Sequence, residues 1–170
     1  MNYNILKFDI LSSTQDHARS IASQAAEGTV IVAKQQTQGR GKPGSGWFSP
    51  DGGLYFSLIL KPQKDISDLL LITRLTAQVV IALLSSYGID AQMKLPNDVL
   101  VDNKKICGIL TEKTKEALII GVGINVNIIE FLKDLSGTSM KLILNKNIDL
   151  DDVLSGFLES FNKQYVEQSQ

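Results

Sequence analysis

Residues 117–126, Ala-Leu-Ile-Ile-Gly-Val-Gly-Ile-Asn-Val, carry no charge and are almost wholly apolar. A strand written this way has no polar face to turn to water, so it belongs in the middle of a sheet. Gly121 and Gly123 interrupt it, and glycine inside a strand marks a place where something passes close to the backbone. The remaining chain must supply the strands that flank it.

Residues 4–10 read as a first strand. Ser12-Ser13-Thr14-Gln15-Asp16 then offers N-cap chemistry for a helix through Ala18, Ile21, Ala22 and Ala25, which Gly28 stops. Residues 29–33 are a β-branched run expected as a buried strand. Over 54–60, alternation sets Leu54, Phe56, Leu58 and Leu60 against Tyr55, Ser57 and Ile59, the pattern of a half-buried strand. Residues 69–87 form the longest helix, with Leu69, Ile72, Leu75, Val79, Val80, Leu83 and Leu84 on a broad apolar face and Gly88 as its cap. Short strands follow near 91–94 and 99–101, then an Asp102-Asn103 turn and a return arm from Lys105 or Ile106 to Glu112. Short helices are expected over 130–135 and 139–144, and a last amphipathic helix over 150–165, introduced by Asp149. Helices interleave with hairpins instead of alternating strictly with strands. The expected class is therefore α+β, a mixed, mainly antiparallel β-sheet with helices packed on it.

A chain of 170 residues is long enough for one sizeable core, and a single domain is expected. Seventeen basic residues against eighteen acidic leave a net charge of −1, which gives no grip on nucleic acid or an anionic membrane, so any charge-driven chemistry must be local. The lone Cys107 excludes an internal disulfide, and it reads as a small core residue. Met1-Asn2-Tyr3-Asn4 lacks the basic and apolar regions of a secretory signal, and no continuous apolar run reaches the roughly 18–20 residues that cross a bilayer. A cytoplasmic location with no membrane partner is the expectation.

Chemistry concentrates in Gly39-Arg40-Gly41-Lys42-Pro43-Gly44-Ser45-Gly46-Trp47. Four glycines let backbone turn tightly or approach a ligand, and Arg40 and Lys42 add charge beside exposed N–H groups, which suits a phosphate or carboxylate. A surface loop favours the same residues. Because the loop leads into a strand, it matches neither a P-loop nor a dinucleotide fingerprint. A second stretch, Lys94-Leu95-Pro96-Asn97-Asp98, puts a proline between two strands and holds Lys94, Asn97 and Asp98 on a stiff turn, where Asn and Asp can equally satisfy their own backbone. Lys104 and Lys105 start an otherwise apolar strand near Gly108, and only one of them can follow the outward face of an alternating strand. Asn125 and Asn127, two apart, are expected to point the same way at a sheet end. His17 reads as a surface or half-buried histidine. Neither a Cys/His zinc cluster nor a serine nucleophile elbow is present in the sequence.

In order and spacing, Ser13-Thr14, Gln36, Gly39-Arg40-Gly41 with Gly44 and Trp47, Lys94, Pro96-Asn97-Asp98, Lys105, Gly108-Ile109-Leu110 and residues 121–127 resemble the catalytic domain of biotin protein ligases. The resemblance runs from about residue 8 to about residue 139. It implies the fold shared by class II aminoacyl-tRNA synthetases and biotin and lipoate ligases. It also implies an ATP-dependent enzyme that makes biotinoyl-5′-AMP and passes the biotinoyl group to one lysine of a biotin carboxyl carrier protein. Ser13, Thr14, Gln36, Arg40, Gly41, Lys42, Lys105 and Gly108 would then hold biotin. Arg40, Lys42, Trp47, Lys94, Asn97, Asp98, Lys105 and Asn125 would hold ATP. Lys105 and Arg40 would be catalytic, and Asp98 would orient Mg2+. Biotin and ATP are substrates in this scheme, and no prosthetic group is implied.

Members of this family usually carry arginine where Lys42 and Ser45 stand and tryptophan where Leu95 stands; lysine keeps a point charge but lacks the two-pronged guanidinium. Some relatives add a helix-turn-helix domain before this one and a small β-barrel domain after it. A first strand starting by Asn4 and an end at Gln170 lead to the expectation of a single catalytic domain over 1–170 with neither, no nucleic-acid partner, and a monomer or homodimer. Two other readings fit the same residues: a lipoate or octanoate transferase of the same fold, and a biotin-binding module with impaired catalysis.

Overall fold

The computed structural model describes residues 1–42, 44–62, 68–132 and 136–169. In chain order the elements are β1 (Asn4–Leu11), α1 (Thr14–Ile21), β2 (Thr29–Gln36), β3 (Leu54–Leu60), α2 (Leu69–Ser86), β4 (Gln92–Lys94), β5 (Asp98–Val101), β6 (Lys104–Lys113), β7 (Leu118–Ile124), α3 (Met140–Leu144) and α4 (Leu150–Ser169). The strands form one sheet in the order β1-β2-β3-β7-β6-β5-β4. β1 and β2 are parallel and every other neighbouring pair is antiparallel. The sheet is thus mixed and mainly antiparallel, and the apolar strand β7 is its centre.

Local chemistry explains most element ends. Ser13 caps α1 by accepting from Asp16 N–H, and Asp68 caps α2 by accepting from Leu70 N–H. Gly88 ends α2 at φ +78°, with its N–H bonded to Ser85 O and Ile89 N–H bonded to Leu84 O, a Schellman closure that needs a left-handed residue. Asp102 and Asn103 both take positive φ, as the two-residue hairpin between β5 and β6 requires. α1 stops at Ile21, short of the expected Ala25, because beyond Ile21 its apolar stripe shrinks to two alanines; residues 22–25 continue as turns. Residues 130–132 are irregular where a short helix was expected, and the rest of that expected segment lies outside the described residues.

β3 is buried along its whole length and is not half-buried as its alternation suggested. One face, Leu54, Phe56, Leu58 and Leu60, joins the large core under α2 and α4. On the other, Ile59 packs with Ala18 of α1 and Ala22 at its C-cap, and Ser57 is sealed beneath the same helix. The sheet therefore has α2 and α4 on one side and α1 with the glycine loop on the other. An aromatic column ties α4 down: Phe56 meets Phe157 edge-on at 4.9 Å, and Phe161 and Tyr165 continue the stack. Phe157 is fully buried, so Phe157→Ala is expected to cost about 3–5 kcal/mol of unfolding free energy, measured by denaturant titration.

By length and composition alone, α2 is apolar enough to cross a bilayer, although Arg74 and its threonines interrupt any continuous apolar run. Its apolar residues Ile72, Leu75, Val79, Val80, Leu83 and Leu84 are buried against the sheet and α4, so the core accounts for them.

Candidate active site

On the α1 face the sheet runs out of side chains. Gly121 and Gly123 of β7 lie across from Leu110 and Gly108 of β6, which leaves a bare strip of backbone. A Cβ on Gly123 would stand 2.4 Å from Trp47 Nε1, one on Gly108 would stand 2.6 Å from Trp47 Cζ3, and one on Gly121 would stand 2.6 Å from Gln15 Oε1. The bodies that these glycines admit are thus the indole of Trp47 and the amide of Gln15.

Trp47 reaches this strip from the glycine loop. Gln38 N–H bonds Ser12 O, Trp47 N–H bonds Gly39 O at 2.7 Å, and Arg40 and Gly46 form a β-bridge, so the loop folds back as a narrow hairpin across the sheet. Its tip is tied by Gly41 N–H to Ser45 O and Ser45 N–H to Lys42 O.

Lys105 stands beside the indole, with Nζ 5.0 Å from the ring centre and 2.7 Å from Asp98 Oδ1. Strict alternation would set Lys105 on the same face as the core residues Cys107 and Ile109. Instead, β5 pairs Val99 with Cys107 and Leu100 with Lys105, so Ile106 is an extra, bulged residue. Ile106 and Cys107 both enter the core, and Lys105 swings to the face of Gly108. Its backbone is clamped by Ser136 O and Thr138 N–H, and its carbonyl accepts from Asn125 Nδ2. Burial pushes the Cys107 thiol up, against the pull of the neighbouring Lys105. It is a core residue, as its sequence context suggested.

Two cavities meet at Lys105 and Trp47. One, of about 210 Å³, is lined by Gly41, Lys42, Ser45, Gly46, Asn97, Asp98, Gly108, Leu110 and the two β7 glycines. The other, of about 160 Å³ and mostly apolar, is lined by Phe48, Asn125, Phe131, Ser136 and Gly137. Three buried polar atoms at this junction, Trp47 Nε1, Asn97 Oδ1 and Asp98 Oδ1, lack a hydrogen bond; Asp98 Oδ1 has only the ion pair to Lys105. Unmet buried polar atoms around a cation are a ready polar lining for a ligand.

The expected residues divide into four groups. Gly41, Lys42, Trp47, Asn97, Asp98, Lys105, Gly108 and Asn125 converge on the two cavities. Asn97 is further pinned to β6, its Nδ2 donating to Ile109 O at 2.8 Å. Thr14 and Gln36 sit behind the loop in a closed network, and the Ser13 hydroxyl is spent on the α1 cap. Gln36 Oε1 accepts from Thr14 N–H at 2.8 Å, Gln36 Nε2 donates to Ser49 Oγ, and the Ser57 hydroxyl lies 2.9 Å from Thr14 Oγ1. Lys94 is exposed and lines neither cavity.

Arg40 does not bring its guanidinium to Lys105: it is spent on Asp16 and Glu112, and Arg40 lines neither cavity. Asn127 does not share a site with Asn125 either. β7 ends at Ile124, the alternation stops there, and Asn127 bonds the backbone of Ile148 in both directions. His17 is half-buried against Phe8, as expected.

Sequence reading missed Gln15, Ser57, Glu112, Phe48 and Phe131. For Glu112 a signal existed, since it follows Gly108 and Leu110 at every second residue of β6. Phe131 lies in irregular chain and gave none. Among the described residues no group of three or more His, Cys, Asp or Glu side chains is placed to hold a metal.

The sequence signature of the Biotin/lipoate A/B protein ligase family matches residues 8–128. The bifunctional ligase/repressor BirA of Bacillus subtilis is 38% identical over 178 residues, covering 97% of this chain and 54% of that protein. The biotin--[acetyl-CoA-carboxylase] ligase of Paracoccus denitrificans is 30% identical, covering 67% of this chain and 51% of that protein. The chain spans about half the length of these curated relatives. Its structure superposes on biotin protein ligase from Aquifex aeolicus, solved with biotin and ATP, at a TM-score of 0.88 and 34% identity, covering 95% of this chain and 69% of that one. On the family signature, these identities and this superposition, the chain belongs to the Biotin/lipoate A/B protein ligase family, and within it to the biotin protein ligases.

Proposed function

We propose that this chain activates biotin with ATP and transfers the biotinoyl group to a lysine of a carboxyl-carrier protein. The observation that carries the reading is the place of Lys105, one ammonium at the junction of a glycine-rimmed polar cavity and an aromatic one. Biotin takes the first cavity, beneath the glycine loop and beside the indole that covers Gly108 and Gly123. The adenine of ATP takes the second, between Phe48 and Phe131, where a flat base gains from aromatic walls. The solved relative bound to biotin and ATP supports these two ligands.

In the first step an oxygen of the biotin carboxylate attacks the α-phosphorus, the bond to the bridging oxygen breaks, and pyrophosphate leaves. Two anions must meet, and Lys105 faces both, so its charge offsets their repulsion and the charge that grows on the phosphoryl oxygens. Lys42 adds a second cation at the rim, and the unbonded Trp47 Nε1–H is a donor already at the junction. Asp98 keeps Lys105 aimed between the cavities until an anion competes for it. Magnesium bound to the phosphates would neutralise charge on the leaving pyrophosphate. A single carboxylate, Asp98, fits an ion brought in on the nucleotide and held mainly by phosphates and water, not a resident metal centre. In the second step the neutral ε-amine of the acceptor lysine attacks the biotinoyl carbonyl carbon, AMP leaves, the nitrogen releases one proton to water, and an amide remains. The Paracoccus relative's name supports a carboxylase carrier as acceptor.

The test is transfer of labelled biotin, with ATP and magnesium, onto a purified carboxyl-carrier domain, run beside lipoate. One labelled lysine and biotin-dependent pyrophosphate release are expected. Activation of lipoate in place of biotin, or biotin binding without pyrophosphate release, would overturn the proposal.

A further inference from the structure

Glu112, near the end of β6, lines neither cavity, yet it touches both parts that frame the first one. Its Oε1 accepts from Arg40 Nη2 at 3.0 Å and Arg19 Nη2 at 2.6 Å, and its Oε2 accepts from Arg40 Nη1 at 3.1 Å and Gln15 Nε2 at 2.9 Å. Arg40 belongs to the glycine loop, and it reaches Asp16 of α1 as well, at 2.9 Å. Gln15 turns its other end, Oε1, to Gly121 on the cavity floor and to Ser57 Oγ at 3.0 Å. A single carboxylate therefore holds the loop by a two-pronged guanidinium and the floor by an amide. The Glu112 side chain is only 22% exposed. Burial alone would raise its pKa, but the hydrogen bonds from Gln15 and Arg19 and the charges of Arg40 and Arg19 hold it below the usual carboxylate value.

We infer that Glu112 is the positioning residue of this site: through Arg40 it fixes the base of the glycine loop, and through Gln15 it fixes the floor beneath the bound substrate. Its importance to turnover rests on the function proposed above; the tether itself does not. The consequence for Arg40 is a change of role, because its guanidinium holds the loop from outside the cavity and leaves Lys42 as the loop cation that faces the ligand. A bidentate Arg–carboxylate pair specifies geometry as well as charge, which is what a loop with four glycines lacks on its own.

The experiment compares Glu112→Gln with wild type in subtilisin cutting of the ligand-free protein and in steady-state kinetics. Glutamine keeps the size of the side chain but not the charge that gathers two guanidiniums. Cutting within residues 39–47 is expected to rise about tenfold and the KM for biotin about tenfold, with kcat changed less than about threefold, as loss of substrate positioning predicts. Arg19→Gln removes a partner of the same carboxylate that has no link to the loop, and should leave cutting and KM within about twofold. Arg40→Gln should match Glu112→Gln, and the double variant should be no worse than either.

A lowered Tm with unchanged loop cutting and KM would make Glu112 merely structural and overturn the inference. So would a loss confined to kcat, or effects of Arg40→Gln and Glu112→Gln that add. If Glu112→Gln does not fold, Arg40→Gln alone carries the test, and normal loop cutting there overturns the inference. Should the wild type not turn over biotin while Glu112→Gln still loosens the loop, the proposed function fails and the tether stands.

Discussion

Lys105→Ala is expected to lower biotin-dependent pyrophosphate release by about 10²–10³-fold, the usual loss when one pre-aimed group is removed from the charge that develops in a transition state. The Lys105 ammonium is held by Asp98 on one side and Trp47 on the other, and both cavities border it. No other described cation is shared by the two cavities, so the truncated site has nothing to take its place. Stability should move far less. The Lys105 side chain is 36% exposed and Asp98 20%, so a pair this wet is worth no more than about 1 kcal/mol. Pyrophosphate release and a thermal melt on the same preparation separate the two effects. Residual activity above about a tenth of wild type would show that the charge offset comes from elsewhere, with Lys42 the first candidate.

Gly123→Ala is the second large effect expected, and it acts through Trp47. The new methyl would lie 2.4 Å from Nε1 and 2.5 Å from Cε2 of an indole that also covers Gly108, so the ring must leave. Trp47 is part of the loop hairpin through its N–H to Gly39, and its departure opens both cavities at their shared wall. A misplacement of this size should raise the KM for biotin or lower kcat/KM by about 10²-fold. The protein has a single tryptophan, so emission reports the same event directly: a red shift and easier quenching by acrylamide are expected in Gly123→Ala. Unchanged emission with normal kinetics would mean that the strand shifts to accept the methyl and that the glycine is not needed for the indole.

Much of the fold was legible in the residues because local rules decide it. The apolar run over 117–126 reads as the central strand, the Asp102-Asn103 pair as a tight hairpin, and Gly88 as a helix stop, and each is set by chemistry within a few residues. The glycine loop and the Lys94–Asp98 stretch were also visible as unusual writing. What alternation could not show is which strand faces have company. β3 reads as half-buried until α1, from another part of the chain, closes over Ser57 and Ile59. Asn125 and Asn127 read as a pair only while the strand is assumed to continue past Ile124.

The sequence alone determined the strand order and the two longest helices, the glycines where another group must approach, and the set of polar residues from which a site can be drawn. Tertiary structure decided which of those residues meet. The bulge at Ile106, forced by pairing with β5, turns Lys105 out of the core and onto the face of Gly108. The meeting of α1, β6 and the loop at Glu112 takes the Arg40 guanidinium away from the cavities. Both outcomes come from contacts between segments distant in the chain, where one residue of register or one half-buried carboxylate redirects a side chain that local pattern alone would aim elsewhere.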